Sequence, residues 1–217
     1  MRKRDKLGCS FCNGEPCRHG NFERMPKNCP TLTSSEIVED AIEEYRNDRA
    51  SKQLCDTIWR SYLPYTRKQG RVEALVGFCH DLGIRKIGIA TCVAFLECAQ
   101  ILEEILEAQG FQTNTVCCQA GAVDSRVLGY DPASLGRQRE RFTLCNPIAQ
   151  AEILNQGQTE INIMLGLCLG HDMIFTRYAQ APTTVMAIKD YVYDHKPSTA
   201  LLTRRHPVYN RLVNEQT

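Results

Sequence analysis

The stretch IMLGLCLGHDMIF, residues 163–175, decides the fold. An apolar run gives way at Gly166 to a turn, and a second apolar run follows Gly170, His171 and Asp172. That order predicts a buried strand, a tight turn and the start of a helix, the joint from which parallel sheets are built. The turn carries a thiol, Cys168, and an imidazole, His171. Alone, it allows either a small core cysteine beside a surface histidine or two side chains directed at one site.

The same alternation begins at Thr66. RKQGRVEALVGFCHDLG (67–83) predicts an amphipathic helix closed by Gly83, and KIGIA (86–90) a short buried strand. CVAFLECAQILEEILEAQG (92–110) predicts a helix closed by Gly110, and QTNTV (112–116) the next strand. A long loop, 121–144, leads to CNPIAQAEILNQG (145–157), where Pro147 suits the first turn of a helix and Gly157 its end. Then come the strand INIMLGL (161–167), a helix starting near His171, and a last strand, TTVMAIK (183–189). Strands alternating with helices predict a parallel sheet covered on both faces, with right-handed crossovers. The expected fold is α/β, a three-layer Rossmann-like or flavodoxin-like domain over 66–217.

In an open α/β sheet, ligands bind at the carboxyl ends of the strands. Cys92, Cys117, Cys118 and Cys168 each follow a predicted strand, and Cys145 joins them if the long loop returns to the same edge. Helix N-termini there lower thiol pKa values and favour thiolates, which suits anions, metals and nucleophilic chemistry. The competing reading of each one is a small apolar filler in a turn. Cys79 and Cys98 fall within helices and are expected in the core, and His80 is expected at a helix end.

Twelve cysteines in 217 residues is a high content. Four of them, Cys9, Cys12, Cys17 and Cys29, form the pattern C-x2-C-x4-C-x11-C-P over residues 1–32, a segment nearly free of apolar side chains and broken by Gly14, Pro16, Gly20 and Pro26. Such a module cannot fold by burial, whereas four thiolates closing on a metal centre can drive its folding. The set fits an iron–sulfur cluster, expected as [4Fe–4S], and also tetrahedral zinc. His19 reads as a solvated loop residue. Residues 33–65 form a helical connector with Ser34 or Ser35 as N-cap, one long helix or two, ended by Pro64, in which Cys55 and Trp59 share the packing face.

Lys and Arg number 26 against 25 acids, which argues against a nucleic-acid partner. No apolar run approaches the roughly 18 residues of a membrane span, and the basic start has no apolar segment behind it. The expected location is therefore the cytoplasm, where thiols persist as ligands, nucleophiles or core residues. The glycine spacing of GLCLGHD does not make a dinucleotide-binding loop.

CSFCNGEPC (9–17), KIGIATCVAFLECA (86–99), GFQTNTVCC (110–118), CNPIAQAEILN (145–155) and GLCLGHDMIFTRYAQAPTTVMAIKD (166–190) together resemble a prokaryotic family of unknown function described as predicted metal-binding proteins. CNPIAQA and GLCxGHD are the specific motifs. The resemblance spans nearly the whole chain and implies a metal centre but no particular reaction. KDYVYDHKP (189–197) is a looser version of the family's final motif, which leaves His195 without an assigned role.

Two functional readings follow. In one, the chain is an iron–sulfur protein, an oxidoreductase or electron carrier, and its partner is a redox protein or a small-molecule substrate. Cys9, Cys12, Cys17 and Cys29 hold one cluster. Cys92, Cys117 or Cys118, Cys145 and Cys168 hold a second cluster or the substrate, and His171 is an alternative ligand or proton donor. Asp172 either orients that imidazole or complements the helix dipole. In the other, the N-terminal module is a structural zinc knuckle on an α/β binding, sensing or thiol-enzyme domain, with Cys168 as nucleophile and His171 as base.

Overall fold

Four short segments pair side by side: β1 (Lys86–Thr91), β2 (Gln112–Cys117), β3 (Ile161–Leu165) and β4 (Thr183–Ala187). The computed structural model describes residues 8–10, 12–65, 67–134 and 141–203. The first seven residues and Phe11 of the N-terminal segment, Thr66, residues 135–140 of the long loop and residues 204–217 lie outside that description. The chain divides into two compact units, Met1–Pro64 and Tyr65–Thr217.

In the second unit all strand pairs are parallel and their order is β2-β1-β3-β4. The central strands, β1 and β3, are the apolar runs, and Ile87, Ile89, Ala90 and Ile163 are fully buried. The outer strands are half-buried, as their mixed polar sequences QTNTVC and TTVMA require. The connecting helices are α4 (Arg71–Asp81) before β1, α5 (Leu96–Ala108), α6 (Pro147–Gln156) and α7 (His171–Tyr178). The step from β1 to β2 runs one way and the step from β2 to β3 returns across β1. Right-handed crossovers therefore put α5 on one face and α6 with α7, which pack on each other, on the opposite face. The expected three-layer parallel α/β fold is present, in the flavodoxin-like order, with its topological switch point between β1 and β3.

Ala99, Leu102 and Leu106 of α5 fill one side of the core; Ala151 and Leu154 of α6 and Phe175 of α7 also join it. Gln150 is fully buried on α6, and its Nε2 donates to the carbonyls of Thr91 (3.1 Å) and Val116 (2.8 Å), tying that helix to the carboxyl ends of β1 and β2. Cys79 is fully buried, and burial pushes its thiol up to about 11. Cys98, expected in the core, is instead exposed. The buried stripe of α5 runs through Ala99, and the preceding residue points about 100° away around the helix.

At the opposite, amino end of the sheet, Glu160 Oε2 accepts the backbone N–H groups of Arg85 (2.7 Å) and Lys86 (2.8 Å). These bonds, Arg85 first, hold its carboxyl below the ordinary range. A lowered folded-state pKa gives stability that is present above the unfolded value, about 4.3, and is lost as pH falls through the folded one. We expect Glu160→Gln to melt below the wild type at pH 7 and the gap to close in melts taken below about pH 4.

In the first unit, Cys29 precedes α1 (Pro30–Thr33), and the connector forms two helices, α2 (Ser35–Asn47) and α3 (Arg49–Thr57). They separate at Asp48, whose side chain caps α3 by accepting the Ser51 N–H at 2.7 Å. Ser34 occupies the N-cap of α2 without a side-chain bond. Cys55 is half-buried but Trp59 is 68% exposed, so the two do not share one packing face. The chain passes into a π-helical turn at Ile58–Tyr62, which rotates Trp59 off the four-residue spacing. A short helix, α8 (Ser198–Leu202), closes the described part of the chain. No helix among the described residues is long and apolar enough to cross a membrane.

Candidate metal and thiol site

Backbone bonds fix the turns that follow the strands. Cys92, the first residue after β1, donates its N–H to Leu165 O (3.1 Å) at the end of β3. Cys118, the first after β2, donates to Thr91 O at 2.8 Å, and the Asn146 N–H reaches Cys118 O at 2.6 Å, so the long loop does return to this edge. Asn146 then caps α6 by accepting the Ala149 N–H at 3.1 Å, with Pro147 in the first turn. After β3, Gly166 turns with φ +67° and Gly170 with φ +89°, and the N–H groups of His171 and Asp172 close on Cys168 O at 2.9 and 3.2 Å.

The outcome is a group of thiols from separate segments at the switch point. Cys118 Sγ lies 3.6 Å from Cys145 Sγ, and the Val93 N–H donates to Cys118 Sγ at 3.4 Å. Lys189, two residues beyond β4, donates its ammonium to Cys92 Sγ at 3.0 Å and also bonds Cys168. Cys92 and Cys118 are buried, while Cys117, Cys145 and Cys168 are half-buried. Cys117 is the last residue of β2 rather than the first after it, so it and Cys118 leave the strand on opposite sides.

The electrostatics follow from this packing. The bond shared with Cys145, then burial, pushes the Cys118 thiol far up. The same bond lowers Cys145, against burial and the charges of Cys168 and Cys92, with help from Lys189. The one contact thus shifts the two thiols in opposite directions. Burial, followed by the neighbouring thiols, raises Cys117. Burial opposes the charge of Lys189, but its bonds to Cys168 and Cys92 outweigh that and hold the ammonium above its ordinary range.

Of the five expected positions, Cys117 acts on Cys118 and Cys92, and Cys145 on Cys118, Cys92 and Cys168. His171 opens α7, and its Nδ1 is buried with no hydrogen-bond partner among the described residues. Asp172 does not orient that nitrogen: its Oδ1 accepts the N–H groups of Gly170 and Met173, both at 2.8 Å, which is the helix-start role. His195 accepts the Asp190 N–H on Nδ1 at 3.0 Å and packs edge-on to Phe95, with ring centroids 4.7 Å apart. Lys189 is the residue that sequence reasoning missed. Its only signal was a position just past an apolar strand.

In the first unit, burial and then repulsion from Cys29, Cys17 and Cys9 raise the thiol of Cys12. Cys29 is buried, yet bonds from Thr31 and Leu32 outweigh burial and lower it. Cys17 Sγ lies 3.4 Å from Thr31 Oγ1, and His19 is exposed. Among the described residues, no group of three or more His, Cys, Asp or Glu side chains is arranged to hold a metal ion.

Residues 29–186 match the model of a family described as protein of unknown function, DUF1847. An uncharacterised protein of Methanocaldococcus jannaschii, MJ0455, is 36% identical over 198 residues, covering 91% of this chain and 95% of the relative. No solved structure matches the chain.

Proposed function

We propose that the chain, which belongs to the DUF1847 family of proteins of unknown function, is an iron–sulfur redox protein whose principal centre is held by Cys92, Cys118, Cys145 and Cys168. The observation that carries this reading is the convergence of thiols from separate strand-end segments around one ammonium. Gathering several thiolates in a half-buried place is costly unless cations compensate them. Lys189 compensates one charge, and the donor set suits a metal for the remainder. A bound cluster would supply one-electron chemistry.

The protein's own contribution is positional. The bond from Cys92 N–H to Leu165 O fixes that turn across the switch point, and the bond from Asn146 N–H to Cys118 O returns Cys145 to its partner. Cys117, which acts on Cys118 and Cys92, would be a further candidate ligand, and the unpartnered Nδ1 of His171 suits a proton donor or an alternative ligand. Cys9, Cys12, Cys17 and Cys29 would hold a second centre of the same kind, with [4Fe–4S] favoured for its single cysteine per iron. A redox protein or a small-molecule substrate is the matching partner.

A second reading has its own observation. Thiolates bound at about 2.3 Å in a tetrahedral site stand about 3.8 Å apart, close to the 3.6 Å between Cys118 and Cys145. Two cysteines sharing one ion favour zinc, or a cluster with two cysteines per iron, over a cubane at this edge.

Anaerobic purification distinguishes the readings. The proposal expects brown protein with absorption near about 400 nm, iron and acid-labile sulfide. Colourless protein with stoichiometric zinc supports the second reading, and protein purified without any metal contradicts both.

Lys189 provides a further check. Its positive charge and N–H···S bond would stabilise the more negative, reduced state of a bound cluster, so Lys189→Met should lower the reduction potential by tens of millivolts, on the order of one charge-assisted hydrogen bond. Lys189→Arg should retain most of it. An unchanged potential in a redox titration of Lys189→Met would contradict the assigned contact.

A further inference from the structure

We propose that Cys118 and Cys145 form an exchanging dithiol, which reduces small disulfides of the glutathione class and closes to an intramolecular disulfide. The proposal concerns the chain with no metal at the sheet edge, the state in which both thiols are free, and it does not rest on the metal reading.

Three observations support it. The two sulfurs are 3.6 Å apart, and a rotation of the side chains must bring them to about 2 Å. The backbones are already tied at that point by the bond from Asn146 N–H to Cys118 O, so closure asks for little main-chain movement. The pair is asymmetric: Cys118 is 2% exposed, whereas Cys145 is half-buried just before the N-cap of α6. A small disulfide can approach Cys145 and cannot approach Cys118. The Val93 N–H on Cys118 Sγ holds the buried sulfur facing its partner.

The chemistry balances. The Cys145 thiolate attacks one sulfur of the disulfide, forming a mixed disulfide and expelling one thiolate, which takes up the proton released by Cys145. Cys118 loses its proton and attacks Cys145 Sγ, forming the Cys118–Cys145 bond and expelling the second thiol. The small disulfide gains two electrons and two protons, and the protein dithiol loses them.

The test uses the full chain, stripped of metal by chelation under reducing conditions and then exposed to oxidised glutathione. Peptide mapping by tandem mass spectrometry should find Cys118 joined to Cys145 as the main cross-link. Cys118→Ser should trap glutathione on Cys145, roughly tenfold faster than on the exposed helical thiol Cys98. Cys145→Ser should leave Cys118 unmodified. A main cross-link between any other pair in the wild type overturns the proposal without recourse to a variant, as does glutathione on Cys98 with none on Cys145 in a folded Cys118→Ser. Because the protein is metal-free throughout, absence of iron or zinc after purification leaves this result independent.

Discussion

Gly166→Ala should lower the melting temperature by about 10 °C. Gly166 sits at φ +67°, where an L side chain is strained, and its new Cβ would lie 2.3 Å from Phe95 Cδ2 and 2.4 Å from Cε2. The ring cannot easily yield, because Phe95 is buried and His195 packs edge-on against it. Strain of about 1 kcal/mol from the backbone and 1–3 from overpacking sum to about 2–4 kcal/mol, a large share of a typical domain's stability. Gly170→Ala is the matched control: φ is +89°, but its Cβ would meet nothing within 4 Å. It should cost only the backbone strain, about 1 kcal/mol. Thermal melts of both variants by circular dichroism check the difference. Equal, small losses would mean that Phe95 does not pack over the β3 turn.

Cys168→Ala should remove the metal of the sheet-edge centre and leave that of the N-terminal segment, so that roughly half of the iron is lost if the two centres are alike. Cys168 is the thiol that Lys189 joins to Cys92, and its turn is fixed by two backbone bonds onto its own carbonyl. Removing it leaves Lys189 and Cys92 in place and leaves the fold intact, since a half-buried thiol contributes little to the core. The check is iron per chain after anaerobic purification, beside the melting temperature. A variant that keeps all its iron removes Cys168 from the ligand set. One that loses all of it ties the two centres together.

The sheet was legible because β1 and β3 are buried on both faces and so read as largely apolar runs, interrupted in β3 only by the buried Asn162, each ended by a glycine turn or a cysteine. The thiol positions were legible for the same reason: a residue directly after a parallel strand must lie at the carboxyl edge. Other features depend on direction rather than position. Cys117 and Cys118 are neighbours in sequence, and only the exact end of β2 decides which one faces Cys145. Cys98 was misread because α5 is apolar over a wide arc, with Leu96, Ile101 and Ile105 exposed, so no single stripe marked the core. Lys189 could not be distinguished from a solvated lysine, since its significance lies in a sulfur 97 positions away in the chain. The π-turn that displaces Trp59 has no sequence signature in this connector.

The most direct test of the central claim is anomalous scattering at the iron edge from crystals grown anaerobically. The account predicts a peak at the carboxyl edge of the sheet, between β1 and β3, bonded to the sulfurs of Cys92, Cys118, Cys145 and Cys168. Metal bound only by Cys9, Cys12, Cys17 and Cys29, with four free thiols at the sheet edge of a fully loaded protein, would contradict it.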